Sequence, residues 1–213
     1  MEIDHIFIFT DTKGKVADQL VSFGLTEGSS RIHKGQGTTN RKFYFENFFL
    51  GILWVHDENE TKSDLVKPTG LWQRANYQTN NFSPFGLCLV NTDETDNLFE
   101  KSLKYQPDYF PAGLSIDILT NENQPELPWT FRLPFKEHKK NEVEPTAHAN
   151  GIKRLTKAQF TYKSSHTNYV DKFKNDSKIK FVVGSDLKLL LTFDNNAQRR
   201  QTEISELNLT IEY

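Results

Sequence analysis

Gly35-Gln36-Gly37, together with the two apolar runs that follow it, constrains this chain more than any other stretch. Glycine tolerates positive φ, so two glycines one residue apart favour a tight turn. Beyond the turn, residues 38–46 and 48–57 are rich in aromatic and aliphatic side chains that suit a pleated surface. Glu46-Asn47 between them is short enough to close a hairpin. A chain carrying this stretch must build a sheet around that hairpin.

The residues before the turn extend the pattern. In residues 3–9, Ile3, Phe7 and Phe9 fall on one side and Ile6 and Ile8 on the other, with His5 on the Ile3/Phe7 side. That predicts a strand buried on both faces. Asp11-Thr12 offers an N-cap, and Val16, Ala17, Leu20, Val21 and Phe23 form an apolar stripe that ends at Gly24. With a short polar strand around 27–33, residues 2–57 read β-α-β-β-β.

Residues 58–81 are polar and rich in turns, with Leu71, Trp72 and Tyr77 as anchors. Residues 82–90 read as a strand and 95–105 as a helix. From 107 to 145 prolines recur, which predicts a loop-rich cover with brief strands near 114–119 and 129–133. The charged run 136–140 reads as a solvated loop. From residue 153 the earlier pattern returns. It has a strand at 153–162, then a helix capped by Ser164-Ser165 and ending at Phe173. A hairpin of 179–183 and 187–193 and a closing strand at 204–213 complete it. This second β-α-β-β-β pattern predicts one α+β domain over 1–213. Module one would be 2–57 and module two 150–213, with an insertion at 58–149. The modules would form an open curved sheet, a half-barrel with a cleft.

Composition narrows the function classes. Of 213 residues, 36% are hydrophobic but 13% are aromatic, 17 of them Phe, which favours aromatic-lined interiors. Lys and Arg number 26 against 28 Asp and Glu, net −2, which argues against a nucleic-acid partner. No apolar run approaches the ~20 residues needed to cross a bilayer, so no membrane role is expected. The first residues lack the basic and apolar regions of a signal peptide, and a cytoplasmic location is expected. Cys88 is the sole cysteine, which excludes an intrachain disulfide and a multi-thiolate metal cage.

The chain resembles glyoxalase-like domains of the vicinal oxygen chelate superfamily. The residues that carry the resemblance are Ile3-Asp4-His5-Ile6, His33-x-Gly35-Gln36-Gly37-Thr38-x-Asn40-Arg41-x-Phe43, Leu50-x-Ile52-Leu53-Trp54-Val55 and Ser83-Pro84-Phe85-Gly86. His148-x-Asn150-Gly151 is similar to the entry of the family's second module. The resemblance implies paired β-α-β-β-β modules around a cleft, often with a divalent metal and often in a homodimer. Members include lyases, isomerases, ring-cleaving dioxygenases and sequestering binders, and the fold alone chooses none of these. The metal positions the resemblance implies are His5, Gly51, Lys157 and Asn208. Only His5 is a good ligand, since Gly51 has no side chain, Lys157 is protonated and Asn208 is weak.

Several residues carry competing readings. Gly35-Gln36-Gly37 precedes a strand and lacks a following Gly-Lys-Ser/Thr, so it is a weak phosphate loop and a better shaped turn. Arg41 either clamps an anion among Phe43 and Phe45 or pairs structurally with Glu46 or Asp57. His5 contacts a ligand or is a hydrogen-bonded core histidine. Cys88, between two leucines, reads as core. The candidate ligand set is therefore His5, Gln36, Thr38, Asn40, Arg41, Phe43, Glu46, Leu53 and Trp129.

Three functions remain open at this point. The first is a small-molecule binder with an aromatic cleft, no metal site and no cofactor. The second is an enzyme of lyase, isomerase or dioxygenase type with a rearranged divalent metal site around His5. The third is an interaction module whose cleft is filled by its own Phe side chains.

Overall fold

The computed structural model describes residues 1–136, 143–163 and 167–213. The expected Ser164-Ser165 cap and most of the charged run 136–140 lie outside these residues. Module one has the expected order: β1 (Ile3–Phe9), α1 (Ala17–Ser22), β2 (Arg31–His33), β3 (Thr38–Tyr44) and β4 (Phe49–Val55). Short helices α2 (Glu58–Thr61) and α3 (Leu71–Ala75) follow. Next come β5 (Phe85–Asn91), α4 (Asp93–Phe99), β6 (Leu103–Tyr105), β7 (Ile116–Leu119) and β8 (Trp129–Lys136). The last elements are β9 (Leu155–Tyr162), α5 (Asn168–Asp171), β10 (Ile179–Val183), β11 (Lys188–Phe193), β12 (Gln201–Ile204) and β13 (Leu209–Glu212).

The architecture is mixed α+β, with 13 strands among the described residues in two sheets, one of them a strongly curled half-barrel. That eight-stranded sheet has the order β2-β3-β4-β1-β5-β8-β7-β6. It holds two β-α-β-β-β units related by the antiparallel β1/β5 pair, and in each unit the first strand runs parallel to the fourth. The second unit is thus residues 85–136, inside the stretch expected to be a loop-rich insertion. Its strands β6 and β7 are only three and four residues long, and the prolines sit mostly in the connections between strands. Periodicity over so few residues reads as loop. The expected helix at 95–105 ends at Phe99, and β6 takes its last residues.

Residues 150–213 build a different object from the expected second module. Their sheet has the order β10-β9-β11-β13-β12. β10 lies parallel to β9 after the α5 crossover, so 179–183 and 188–193 flank β9 and do not form a hairpin. Of the expected strand 204–213, residues 209–212 form β13. Its start is the end of β12 and a turn in which Asn208 is left-handed at φ 48°, and β12 pairs antiparallel with β13.

The outer face of the half-barrel packs against this second sheet. Ile3, Ile6, Ile8, Leu50, Ile52, Leu87 and Leu89 join Leu20 of α1, Phe99 of α4 and Phe160, Leu189 and Leu209 in one core. Each such side chain contributes ~1.5–3 kcal/mol by leaving water. The stretch from His148 to Gly151 is a joint between the sheets: Ala149 donates its N–H to Gly24 (2.9 Å), and Thr26 donates its N–H to His148 Nδ1 (3.0 Å).

The inner face has a second core of Phe7, Phe9, Leu53, Cys88, Trp129 and Phe131, roofed by Val66 and Leu71 from the segment after β4. Arg74 of α3 fixes that roof. Its guanidinium, fully buried, donates to the carbonyls of Ser83 (3.0 Å), Leu127 (2.8 Å), Pro125 (3.4 Å) and Thr120 (2.7 Å). No helix among the described residues is long and apolar enough to cross a membrane.

Candidate functional site at the inner rim of module one

Strand alternation divides the expected ligand set. On β3, Asn40 lies opposite Leu53, Lys42 opposite Gly51 and Tyr44 opposite Phe49, so Thr38, Asn40, Lys42 and Tyr44 share the inner face. Arg41 and Phe43 point outwards. Phe43 is in the outer core, and Arg41 donates to both Glu27 oxygens (2.7 and 2.5 Å), to Asp18 (2.7 Å) and to the Gly14 carbonyl (3.0 Å). The bonds to Glu27 hold the Arg41 guanidinium even more firmly protonated than usual. Its partners are Glu27 and Asp18, neither of the two expected. Glu46 sits at the hairpin tip, 3.1 Å from Arg154, while neighbouring Asn47 exchanges two hydrogen bonds with the Leu155 backbone. Neither Arg41 nor Glu46 faces the cleft.

The inner residues have two fates. Leu53 and Trp129 are filler in the deep part of the cleft, and the Trp129 indole N–H donates to Thr69 O (2.7 Å). Gln36 and Thr38 belong to a buried chain of hydrogen bonds. Tyr109 O–H donates to Gln36 Oε1 (2.9 Å), Gln36 Nε2 donates to Thr38 Oγ1 (2.8 Å), and His33 Nδ1 meets the same hydroxyl (2.9 Å). Asn40 Oδ1 accepts from the Arg31 N–H (3.0 Å). The Gly35–Gly37 turn does cradle an anion, but it is the protein's own. Both glycine N–H groups, at φ 77° and 76°, donate to Glu60 Oε2 (2.8 and 3.0 Å).

A β-bulge shapes the start of β1. Ile3 pairs with Leu89 but His5 with Cys88, leaving Asp4 as the extra residue. The alternation is reset there, so Ile3 joins Ile6 and Ile8 outside, against the expectation that it shares a face with Phe7. His5 faces inwards as expected. Asp4 Oδ1 lies 2.5 Å from His5 Nδ1, and the His5 ring stacks on Phe49 at 4.2 Å and meets Phe131 edge-on at 5.2 Å.

Next to Phe49 stands Lys42. Its ammonium lies 5.2 Å from the Tyr44 ring centroid and 5.7 Å from that of Phe49, and half-burial pulls its pKa down. The guanidinium of Arg31 lies 4.8 Å from the Tyr109 ring and lowers the Lys42 pKa further. His33 is held neutral to about pH 4, first by burial and then by the charges of Arg31, Lys42 and His5. Glu144 pulls on Lys42 from beyond ion-pair distance while its carboxylate bonds Ser29. Among the described residues, no carboxylate lies within 4 Å of the Lys42 or Arg31 cation.

Phe7 explains the space beside Lys42. It pairs with Gly51 on one side and Gly86 on the other. Its ring leans over Gly86, where a Cβ would overlap it. A Cβ on Gly51 would meet nothing nearer than Phe7 Cβ at 3.5 Å. The strand position opposite Lys42 therefore carries no side chain.

The metal positions implied by the resemblance do not fit such a centre. Lys157 and Asn208 belong to the second sheet, outside the cleft. The inward positions of β4 are Phe49, Gly51 and Leu53, and those of β8 are Trp129, Phe131 and Leu133, none with a donor atom suited to a divalent cation. Among the described residues one compact group remains: donor atoms of Asp4, His5 and Cys88 lie within 4.8 Å of one another. Burial pushes the Cys88 thiol well up, which keeps it protonated and a poor ligand.

The sequence reading missed Asp4, Arg31, Lys42, Tyr44 and Phe49. For Lys42, Tyr44 and Phe49 the signal was present. Strand alternation puts them at the opposite parity from Phe43 and Leu50, hence on the other face. Nothing in the sequence marks the bulge that delivers Asp4.

No family model and no curated protein sequence matches the chain. Solved structures do. A hypothetical protein from Staphylococcus aureus is similar over 99% of this chain and 98% of its own, at 12% identity and TM-score 0.57. A hypothetical protein from Bacillus halodurans matches over 66% of this chain and 98% of its own, at 14% identity and TM-score 0.41. The first likeness shows that the whole fold, including the second sheet, recurs in another protein.

Proposed function

We propose that this is a glyoxalase-like protein that binds a small aromatic carboxylate at the inner rim of module one without a metal ion. The observation that supports this is the gathering of Arg31, His33, Lys42 and His5 on one rim, where burial and neighbouring positive charge disfavour the charged forms of His33 and Lys42. An anion there relieves the repulsion, and the Phe49 and Tyr44 rings offer a flat apolar wall to the rest of the ligand. Lys42 lies opposite Gly51, one of the metal positions that the resemblance implies. The deep cleft plays no part in this reading, because Phe7, Phe9, Trp129 and Phe131 already fill it.

The test is calorimetric titration with 4-methylbenzoate. Wild-type protein binds one equivalent, and Lys42→Met weakens binding by about tenfold or more, the loss of one charge-assisted contact. Equal affinity in the two proteins contradicts the reading. The second reading, an enzyme with a rearranged divalent site, draws on the Asp4, His5 and Cys88 group. Stoichiometric metal in protein as purified, lost in His5→Ala, would favour it.

A further inference from the structure

We propose that Lys42 is a nucleophilic amine that condenses with the carbonyl of a small aromatic aldehyde bearing a carboxylate, forming an imine at the rim of module one. The proposal rests on the anion-binding reading above and adds a covalent step to it. Three features of the geometry carry it. The Lys42 ammonium is half-buried against the Tyr44 and Phe49 rings, with no carboxylate in ion-pair range among the described residues to hold its proton. The strand position across from Lys42 is Gly51, so no β4 side chain stands directly opposite the amine. Arg31, on the strand next to β3, keeps its guanidinium in the same region and can hold the carboxylate while Nζ meets the carbonyl. Desolvation beside like charge is the general route by which a lysine becomes a neutral nucleophile near neutral pH.

The step balances without an oxidant or reductant. The lone pair of neutral Nζ adds to the carbonyl carbon, and a proton passes from nitrogen to the former carbonyl oxygen to give a carbinolamine. Loss of that hydroxyl with the second nitrogen proton as water leaves the C=N bond. Hydrolysis reverses each step, so the imine is a reversible hold on an aldehyde.

The experiment incubates the whole chain with 4-carboxybenzaldehyde and sodium cyanoborohydride, then maps the reduced adducts by peptide mass spectrometry over time. The expected result is one adduct per chain at Lys42, formed at least tenfold faster than at any other lysine and slowed by excess 4-methylbenzoate. In Lys42→Arg the fast phase disappears. Adducts spread evenly over the lysines of wild-type protein overturn the proposal, as does a fast phase that survives in Lys42→Arg. Calorimetry with 4-methylbenzoate, which has no carbonyl, separates the two readings. Binding without a fast adduct sinks the imine and leaves the anion site standing. A fast Lys42 adduct without such binding supports the amine and sinks the anion site.

Discussion

The two halves of the half-barrel share a topology and differ in what they turn inwards. Module one presents Asp4, His5, Asn40, Lys42, Tyr44 and Phe49 along its rim, a mixed surface of charge and aromatic ring. The unit at 85–136 presents Cys88, Ile116, Ile118, Trp129 and Phe131, all buried and apolar. Among the described residues the one compact donor group draws Asp4 and His5 from module one and only the buried Cys88 thiol from the 85–136 unit. The frame of the two units is alike, and the 85–136 unit forms an apolar wall. Phe7 marks the division, because its ring crosses from the first half and lies on Gly86 of the second.

If the second half is a wall, damage there should cost stability. Arg74→Met removes four hydrogen bonds to buried carbonyls that tie the roof to the 85–136 unit, so it should cost about 3 kcal/mol or more. A urea unfolding midpoint unchanged by this substitution would mean that the roof is held otherwise. The rim of module one should instead show itself through acid. His33 titrates at about 4 when folded, below its ordinary 6.5, because burial disfavours its charged form. The unfolded chain takes up that proton first, so the stability present above pH 6.5 is lost as pH falls towards 4. The loss is roughly 3 kcal/mol at most. Urea titrations across that range should show His33→Gln losing less than wild type.

A paired substitution compares the halves at matching positions. Gly86→Ala forces the Phe7 ring to move and should cost about 1–3 kcal/mol. Gly51→Ala meets only ordinary contacts and should change stability by less than about 0.5 kcal/mol in either direction. Similar costs at the two glycines would show that the Phe7 ring does not choose between the halves.

Module one was legible because its signals are local: a full-length strand, a helical stripe, a glycine turn and a seven-residue pair joined by a tight hairpin. The 85–136 unit was legible only in pieces. The strands at β5, β7 and β8 were expected, but three-residue β6 falls inside the expected helix. The pairing that makes them one unit is set by tertiary contact. The last 60 residues contain the same kinds of element in a similar order, yet β10 pairs with β9, and only tertiary contact decides that. Within the site, His5 was found from its strand position. A guanidinium among aromatics made Arg41 a conspicuous anion clamp, but it shares its parity with Phe43, which faces the outer core. The Asp4 bulge depends on the register of β1 against β5, which no single strand encodes.

The central claim, an anion site in one half with no metal, is tested most directly by native mass spectrometry of chelator-treated protein in the presence of 4-methylbenzoate. One ligand per chain after chelation, absent in Lys42→Met and unaffected by adding back divalent cations, is the predicted result. Ligand bound only when metal is restored, and lost in His5→Ala, would contradict it and place the chemistry on Asp4, His5 and Cys88 instead.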